Sequence, residues 1–350
     1  MKRKFSRKAL VALFAVSALA LSACSSGDDA SGDVKVSLIL KNQTNPFFVS
    51  MVKGAEAKAA ELGIDLTISS GKEEGDDAAQ IAAIENAISA KHAGIVITVM
   101  STNVNAAITK AREAGLLVIA LDTPTDPADI ADITFATDNR EAGRLIGQWG
   151  AKKLGGQKAV IALLNIFDDR VSPVDYLRDN GFLEGMGIPV NDPNKMADEA
   201  KTGKYSGGDY EIVGNVATGA NEDGGRSGME KLLARNPNIN IVYTINEPTA
   251  IGACAALKAA KKTAIMVSVD GGLSGIEAVK SGCIGATSQQ YPLRMADIGL
   301  QAIYDLVKSG KKPEVTPGKD FFDTGVTLIT DDPQDGVPSE STQYGIDNAW

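Results

Sequence analysis

The chain has 350 residues, a formal net charge of −9 and a single histidine, His92. An acidic surface argues against nucleic acid as a partner. One histidine at a predicted helix end removes His-based triads, His-rich zinc sites and His acid–base pairs. The length exceeds one typical core, so two domains are expected.

The chain opens with Lys2, Arg3, Lys4, Arg7 and Lys8, followed by an apolar run from Ala9 to Ala20. That run is too short for an ordinary membrane span and fits a secretory signal over 1–23. Leu21-Ser22-Ala23-Cys24, followed by Ser25-Ser26-Gly27-Asp28-Asp29, resembles the bacterial lipobox. Cleavage there would leave Cys24 as a lipid-modified first residue, 24–33 as a tether, and an exported protein anchored on the outer face of the cell membrane.

From residue 34 onward, apolar β-branched runs alternate with Ala-rich amphipathic stretches. Strands are predicted at 34–40, 64–69, 95–99, 116–121 and 133–136. Helices between them are predicted at 46–62, 77–91 and 105–114. Asn45 as N-cap, Pro46 in the first turn and Gly63 as stop frame the first helix. The pattern restarts with a helix at 140–154. Strands follow at 159–164, 212–217, 241–245, 265–269 and 284–288, with helices at 174–186, 225–235, 248–260 and 274–280. A long helix at 293–309 and a strand at 326–330 close the pattern. The Gly/Asp/Lys-rich stretch at 187–208 reads as an irregular insertion. Repeated βαβ units of this kind make parallel sheets with helices on both faces, and the count gives two similar α/β halves.

Open α/β sheets bind ligands beyond the carboxyl ends of their strands. The residues there include Lys41, Asn45, Phe47, Phe48, Asp122, Thr123, Asp175, Asn221, Asn246, Asp270 and Gln290. None shows metal-ligand spacing, no nucleophile has an obvious base, and no cofactor is implied. The set suits a neutral polyhydroxylated ligand, whose hydroxyls both donate and accept and whose C–H faces rest on aromatic rings. Phe47 and Phe48 are adjacent and cannot both join one core-facing helical stripe, so at least one is expected to face a ligand. The alternative is a helix-start staple plus a core residue. Gly150 to Gly155 begins like a phosphate loop but lacks its Lys-Ser/Thr, and no dinucleotide fingerprint or Gly-x-Ser-x-Gly elbow is present. Cys254 and Cys283 fit either a disulfide or two buried thiols.

The motifs TNPFF, VIALDTP, TINEPTAIGA, VSVDGG and GATSQQYP, in that order, resemble the sugar-binding proteins of ABC importers, in the ribose-binding group. The resemblance covers about residues 34–330. It implies a type I periplasmic binding protein fold: two Rossmann-like lobes joined by a three-crossover hinge. Lobe one would comprise 34–137 plus 291–324, and lobe two 138–290 plus 325–345. Asp122-Thr123-Pro124, Ser172-Pro173-Val174-Asp175 and FFDTGVTLIT look most like the fructose-type branch. Thr123 replaces the Arg of ribose binders, and Lys41 their small hydroxyl residue. The implied role is a monomeric receptor, not an enzyme, that closes on a monosaccharide, with fructose the first candidate, and delivers it to the permease subunits. Ribose, xylose or another monosaccharide, or a sugar sensor feeding a signalling receptor, are the alternatives. The implied ligand residues are Lys41, Asn45, Phe47, Phe48, Asp122, Thr123, Asp175, Arg178, Asn221, Asn246, Asp270 and Gln290; Arg178 is placed by the register of LRDNGF.

Overall fold

The computed structural model describes residues 34–350; the expected signal over 1–23, the expected tether over 24–33 and Cys24 lie outside the described residues. Strands β1 (Val34–Leu40), β2 (Ile64–Ser70), β3 (Gly94–Ile97), β4 (Leu117–Leu121) and β5 (Ile133–Ala136) pair in parallel in the order β5-β4-β3-β1-β2. Helices α1 (Pro46–Leu62), α2 (Asp77–Ser89) and α3 (Asn105–Glu113) connect them. The strands read as near-continuous apolar runs because both faces are covered. Val36, Leu38 and Leu40 of β1 enter one core with Phe47, Phe48 and Met51 of α1. Ile39 enters the opposite core with Ile84, Ile95, Ile97 and Ile108.

The second sheet repeats the plan. It uses β6 (Ala159–Asn165), β7 (Thr202–Tyr205), β8 (Gly208–Ala217), β9 (Ile241–Thr244), β10 (Ile265–Asp270) and β11 (Ala286–Gln289). Helices α4 (Asn139–Lys153), α5 (Pro173–Met186), α6 (Glu222–Arg235), α7 (Glu247–Ala259) and α8 (Leu273–Lys280) flank it. The chain then returns to the first sheet through α9 (Pro292–Ser309), which packs on α1, and a two-residue strand, β12 (Phe322–Asp323), beside β5. It crosses back to β13 (Thr327–Ile329), antiparallel to β11, and to the short helix α10 (Thr342–Asp347). The full orders are β12-β5-β4-β3-β1-β2 and β13-β11-β10-β9-β6-β8-β7, with three crossings between the sheets.

Two expectations change. The stretch read as an irregular insertion contains β7, which forms an antiparallel hairpin with β8. Only Tyr205 of its four residues is buried, so it carries no apolar alternation to read. Helix α6 starts three residues early because Asn221 caps it, accepting from the Gly224 amide at 2.8 Å; the following Glu-Asp-Gly-Gly is a poor helix signal. Cys254 and Cys283 form a disulfide, Cα atoms 5.9 Å apart, tying α7 to the approach to β11.

One helix pair sets the position of the second lobe's ligand face. Gly143 and Gly147 on α4 meet Gly181 and Gly185 on α5 so closely that a Cβ on any of them would lie 2.2 Å from a carbonyl oxygen of the other helix. Only glycine permits that approach. It draws the first turns of α5 against the start of α4, where Arg178 Nε donates to Asn139 Oδ1 at 2.8 Å.

Candidate functional site

The carboxyl ends of both sheets face a common cleft. A small cavity within it is lined by Lys41, Asn45, Phe47, Phe48, Glu74 and Asp122 from the first lobe. Ile166, Val174, Arg178, Ala220, Ile245, Asn246 and Asp270 line it from the second. The cavity measures about 30 Å³, room for about one water and far below the roughly 300–1,000 Å³ of ligand pockets, so the closed lobes leave little space between these side chains.

In the first lobe, Asn45 caps α1 by accepting from the Phe47 amide at 2.9 Å. Phe47 and Phe48 follow at once, each 3% exposed, in edge-to-face contact at 5.4 Å between centroids. They sit where the helix leaves the cleft floor. There the lobe's core opens onto the cavity, so both are core residues and both are wall. The stripe argument separated them because it assumed a helix interior. Behind Phe47 stands Trp350, again edge-to-face at 5.4 Å. Trp350 Nε1 donates to the Gln290 carbonyl at 3.0 Å, and its ring covers Gly272.

Asp122 follows β4 with φ of 61°, and Asp270 ends β10 with φ of 145°. Both are uncommon for non-glycine residues, and such backbone strain concentrates at ligand sites. Asp122 accepts from Thr123 Oγ1 at 2.9 Å and from Arg178 Nη2 at 3.2 Å, an ion pair buried between the lobes. Arg178 Nη1 donates to the Ile245 carbonyl at 3.0 Å. Asp270 accepts from Gln290 Nε2 at 3.1 Å and from the Glu247 amide at 3.4 Å. Asn246 caps α7 through the Thr249 amide and donates to the Ala220 carbonyl. Burial raises the Asp270 carboxyl, with Arg178 opposing and Asp122 adding to the rise; it raises neighbouring Glu247 as well. Glu247 does not reach the cavity. It accepts from the amides of Gly271 and Gly272 and from Thr287 Oγ1, and so fixes the turn after Asp270.

Nearer the mouth, Arg170 Nη1 of the second lobe donates to the Gly75 carbonyl at 2.7 Å and to Asp77 Oδ2 at 3.0 Å in the first. The Thr102 amide donates to the Val171 carbonyl at 3.0 Å. Tyr176 Oη donates to Asp126 Oδ2 at 3.2 Å on the hinge side. The lobes are therefore closed on each other, with Arg178–Asp122 at the centre of the contact.

A model of the periplasmic binding protein domain matches residues 36–312. The chain belongs to that family. Within it, the chain is similar to the ribose import binding protein of Haemophilus influenzae, 29% identical over 88% of this chain and 96% of the relative. It is also similar to the D-allose-binding periplasmic protein of Escherichia coli, 26% identical over 84% and 91%. A solute binding protein of an Agrobacterium vitis ABC transporter, solved with bound D-fucose, superposes with a TM-score of 0.73. It is 24% identical over 90% of this chain and 100% of that one, a likeness that carries the fold alone. The relatives place the chain in the ribose-binding group, among binding proteins rather than enzymes.

Against that family frame, the fold brings Lys41, Asn45, Phe47, Phe48, Asp122, Arg178, Asn246 and Asp270 to the cavity. The other candidates do not line it. Thr123 is fully buried behind Asp122 and donates to its carboxylate. Asp175 turns onto the backbone and accepts from the amides of Ile166 and Phe167 at 3.0–3.1 Å. Asn221 is exposed and spent on capping α6. Gln290 is fully buried and supports Asp270 from the crossover. Glu74 was missed. It follows β2, and reading that strand end like the others would have exposed the Glu73-Glu74 pair. Among the described residues, no group of three or more His, Cys, Asp or Glu could hold a metal.

Proposed function

We propose that the protein is the solute-binding lipoprotein of an ABC importer, that it closes its two lobes around one monosaccharide, and that fructose is the first candidate. One observation carries this: two phenylalanines wall a small interlobe cavity whose polar rim is Lys41, Asn45, Glu74, Asp122, Arg178, Asn246 and Asp270. A sugar ring lays its C–H face on the phenylalanines and exchanges hydroxyl hydrogen bonds with the rim. Because the rim is split between lobes, sugar binds the closed form better and shifts the population towards it. The permease then reads the closed form. Fructose is favoured over ribose by Thr123, where ribose binders carry Arg, and by Lys41, where they carry a small hydroxyl residue. Ribose, allose, fucose and arabinose, named for relatives and structural neighbours, are the competitors.

A thermal-shift panel of monosaccharides tests the reading, since a ligand that binds only the folded state raises the melting point by mass action. Fructose should give the largest shift. A larger shift with another monosaccharide would replace fructose and leave the class; no shift with any would remove the class. For the anchor, Cys24→Ser should release the protein from membranes, because no acyl chain remains to bury.

A further inference from the structure

We infer that Lys41 and Glu74 form a single recognition element for one ligand hydroxyl, which sits between them, donating to Glu74 Oε2 and accepting from Lys41 Nζ. The inference rests on the monosaccharide reading and assigns one of its hydrogen bonds. Both side chains line the cavity and both are buried, 3% and 6% exposed. Their charged atoms are 4.0 Å apart, too far for a hydrogen bond. Glu74 Oε2 has no hydrogen-bond partner, although Oε1 accepts from Asn42 Nδ2 at 3.1 Å. A buried carboxylate oxygen left in this state is costly, so a group that completes it gains more than an ordinary surface bond.

The spacing fits one oxygen. An atom about 2.8 Å from each of two groups 4.0 Å apart sees them at about 90°, an angle a hydroxyl can serve as donor and acceptor at once. A second carboxylate could not donate to Glu74, and an ammonium could not accept from Lys41. The pair therefore selects a neutral hydroxyl rather than an acid or an amine.

The pair is also held in place. Asn42, which binds Glu74 Oε1, accepts through Oδ1 from the amides of Thr44 and Asn45 and from Thr44 Oγ1. It thereby ties the Glu74 loop to the turn that launches Phe47 and Phe48. Gly71 brings that loop against the Lys41 backbone, where a Cβ would lie 2.6 Å from the Lys41 carbonyl oxygen. The Lys41 amide is fixed by Thr98 Oγ1 at 3.0 Å.

The test is calorimetry with D-fructose, D-ribose and D-allose on the wild type, Glu74→Gln, Lys41→Met and the double variant. Ligand-free melting curves confirm that each variant folds. Each single variant should lose about tenfold or more in affinity for the sugar the wild type binds, and the double variant should lose less than the product of the two. Monodeoxy analogues of that sugar identify the hydroxyl: the analogue lacking it should bind wild type and Glu74→Gln alike. Unchanged affinity in Glu74→Gln, or equal sensitivity of every analogue to the substitution, would overturn the inference and leave the sugar reading standing. Failure of the wild type to bind any of the three sugars would instead count against the sugar reading, and the inference would fall with it.

Discussion

The two lobes are topological repeats, and their ligand faces differ position by position. Strands β1, β2, β3 and β4 of the first sheet correspond in order to β6, β8, β9 and β10 of the second. After the first strand of each, lobe one places Phe47 and Phe48, and lobe two places Val174 and Arg178. After the second come Glu74 and Ala220. After the fourth, both place an aspartate on unusual backbone, Asp122 and Asp270. Lobe two arrives with its polar groups largely committed: Asn246 caps a helix, Asp270 holds Gln290, and Arg178 is tied to Asn139 and Ile245. Lobe one brings the aromatic wall and a Lys41–Glu74 pair whose Glu74 Oε2 has no hydrogen-bond partner. One architecture thus supplies a prearranged jaw and a selective jaw.

The sharpest test of that contrast sets the two aspartates against each other. Asp122→Asn keeps a side chain that tolerates positive φ but leaves Arg178 buried beside a neutral group. Monosaccharide affinity should fall about 100-fold, or about 2.7 kcal/mol. Asp270→Asn, inside the committed lobe, should cost several-fold less. Equal losses by calorimetry would break the distinction between the jaws.

A smaller effect is expected at the aromatic wall. Phe48→Leu keeps apolar volume but loses the flat face, so affinity should drop about tenfold. Unchanged affinity would return Phe48 to a purely core role. At the mouth, Arg170→Ala removes the link from lobe two to Gly75 and Asp77. Stopped-flow measurement should show sugar leaving about threefold faster with little change in its arrival, because the contact exists only when the lobes meet. A slower arrival instead would make Arg170 a steering charge.

The smallest expected effect concerns stability. Lobe two buries Asp175, whose carboxyl burial pushes up to about 7 against the pull of the Ile166 and Phe167 amides, and Asp179, which burial also raises well above the ordinary carboxylate range. A buried acid with a raised folded-state pKa stabilises most at low pH, and that contribution is lost as pH climbs from about 4 towards about 7. The ligand-free melting temperature should therefore fall a few degrees between about pH 5 and about pH 8. A flat or rising profile would mean that the amides keep Asp175 ionised.

The sequence announced most of the architecture because most elements carry local punctuation, such as Asn45-Pro46 before α1 and Gly63 after it. It hid β7, whose exposed Thr-Gly-Lys has no apolar period, and β12, which is only two residues long. For the site, strand-end residues line the cavity where a side chain points straight from the strand or helix start, as with Asp122 and Phe48. They do not line it where the side chain is spent on backbone amides, as with Asp175 and Asn221. Only three-dimensional geometry separates those outcomes. Trp350 lay beyond any local rule, because its partners Phe47, Gly272 and Gln290 are distant in the chain.

That tryptophan gives the molecule a built-in optical gauge. The chain has two tryptophans. Trp149 is sealed in the second lobe's core with its indole nitrogen bonded to the Asp332 carbonyl, so rigid lobe movement leaves its surroundings unchanged. Trp350 follows α10, which packs on the second lobe, yet it rests on Phe47 of the first. Under the proposed opening of the cleft, that indole would leave its aromatic bed. The emission of a Trp149→Phe variant would then report the state of the hinge directly, without any attached dye.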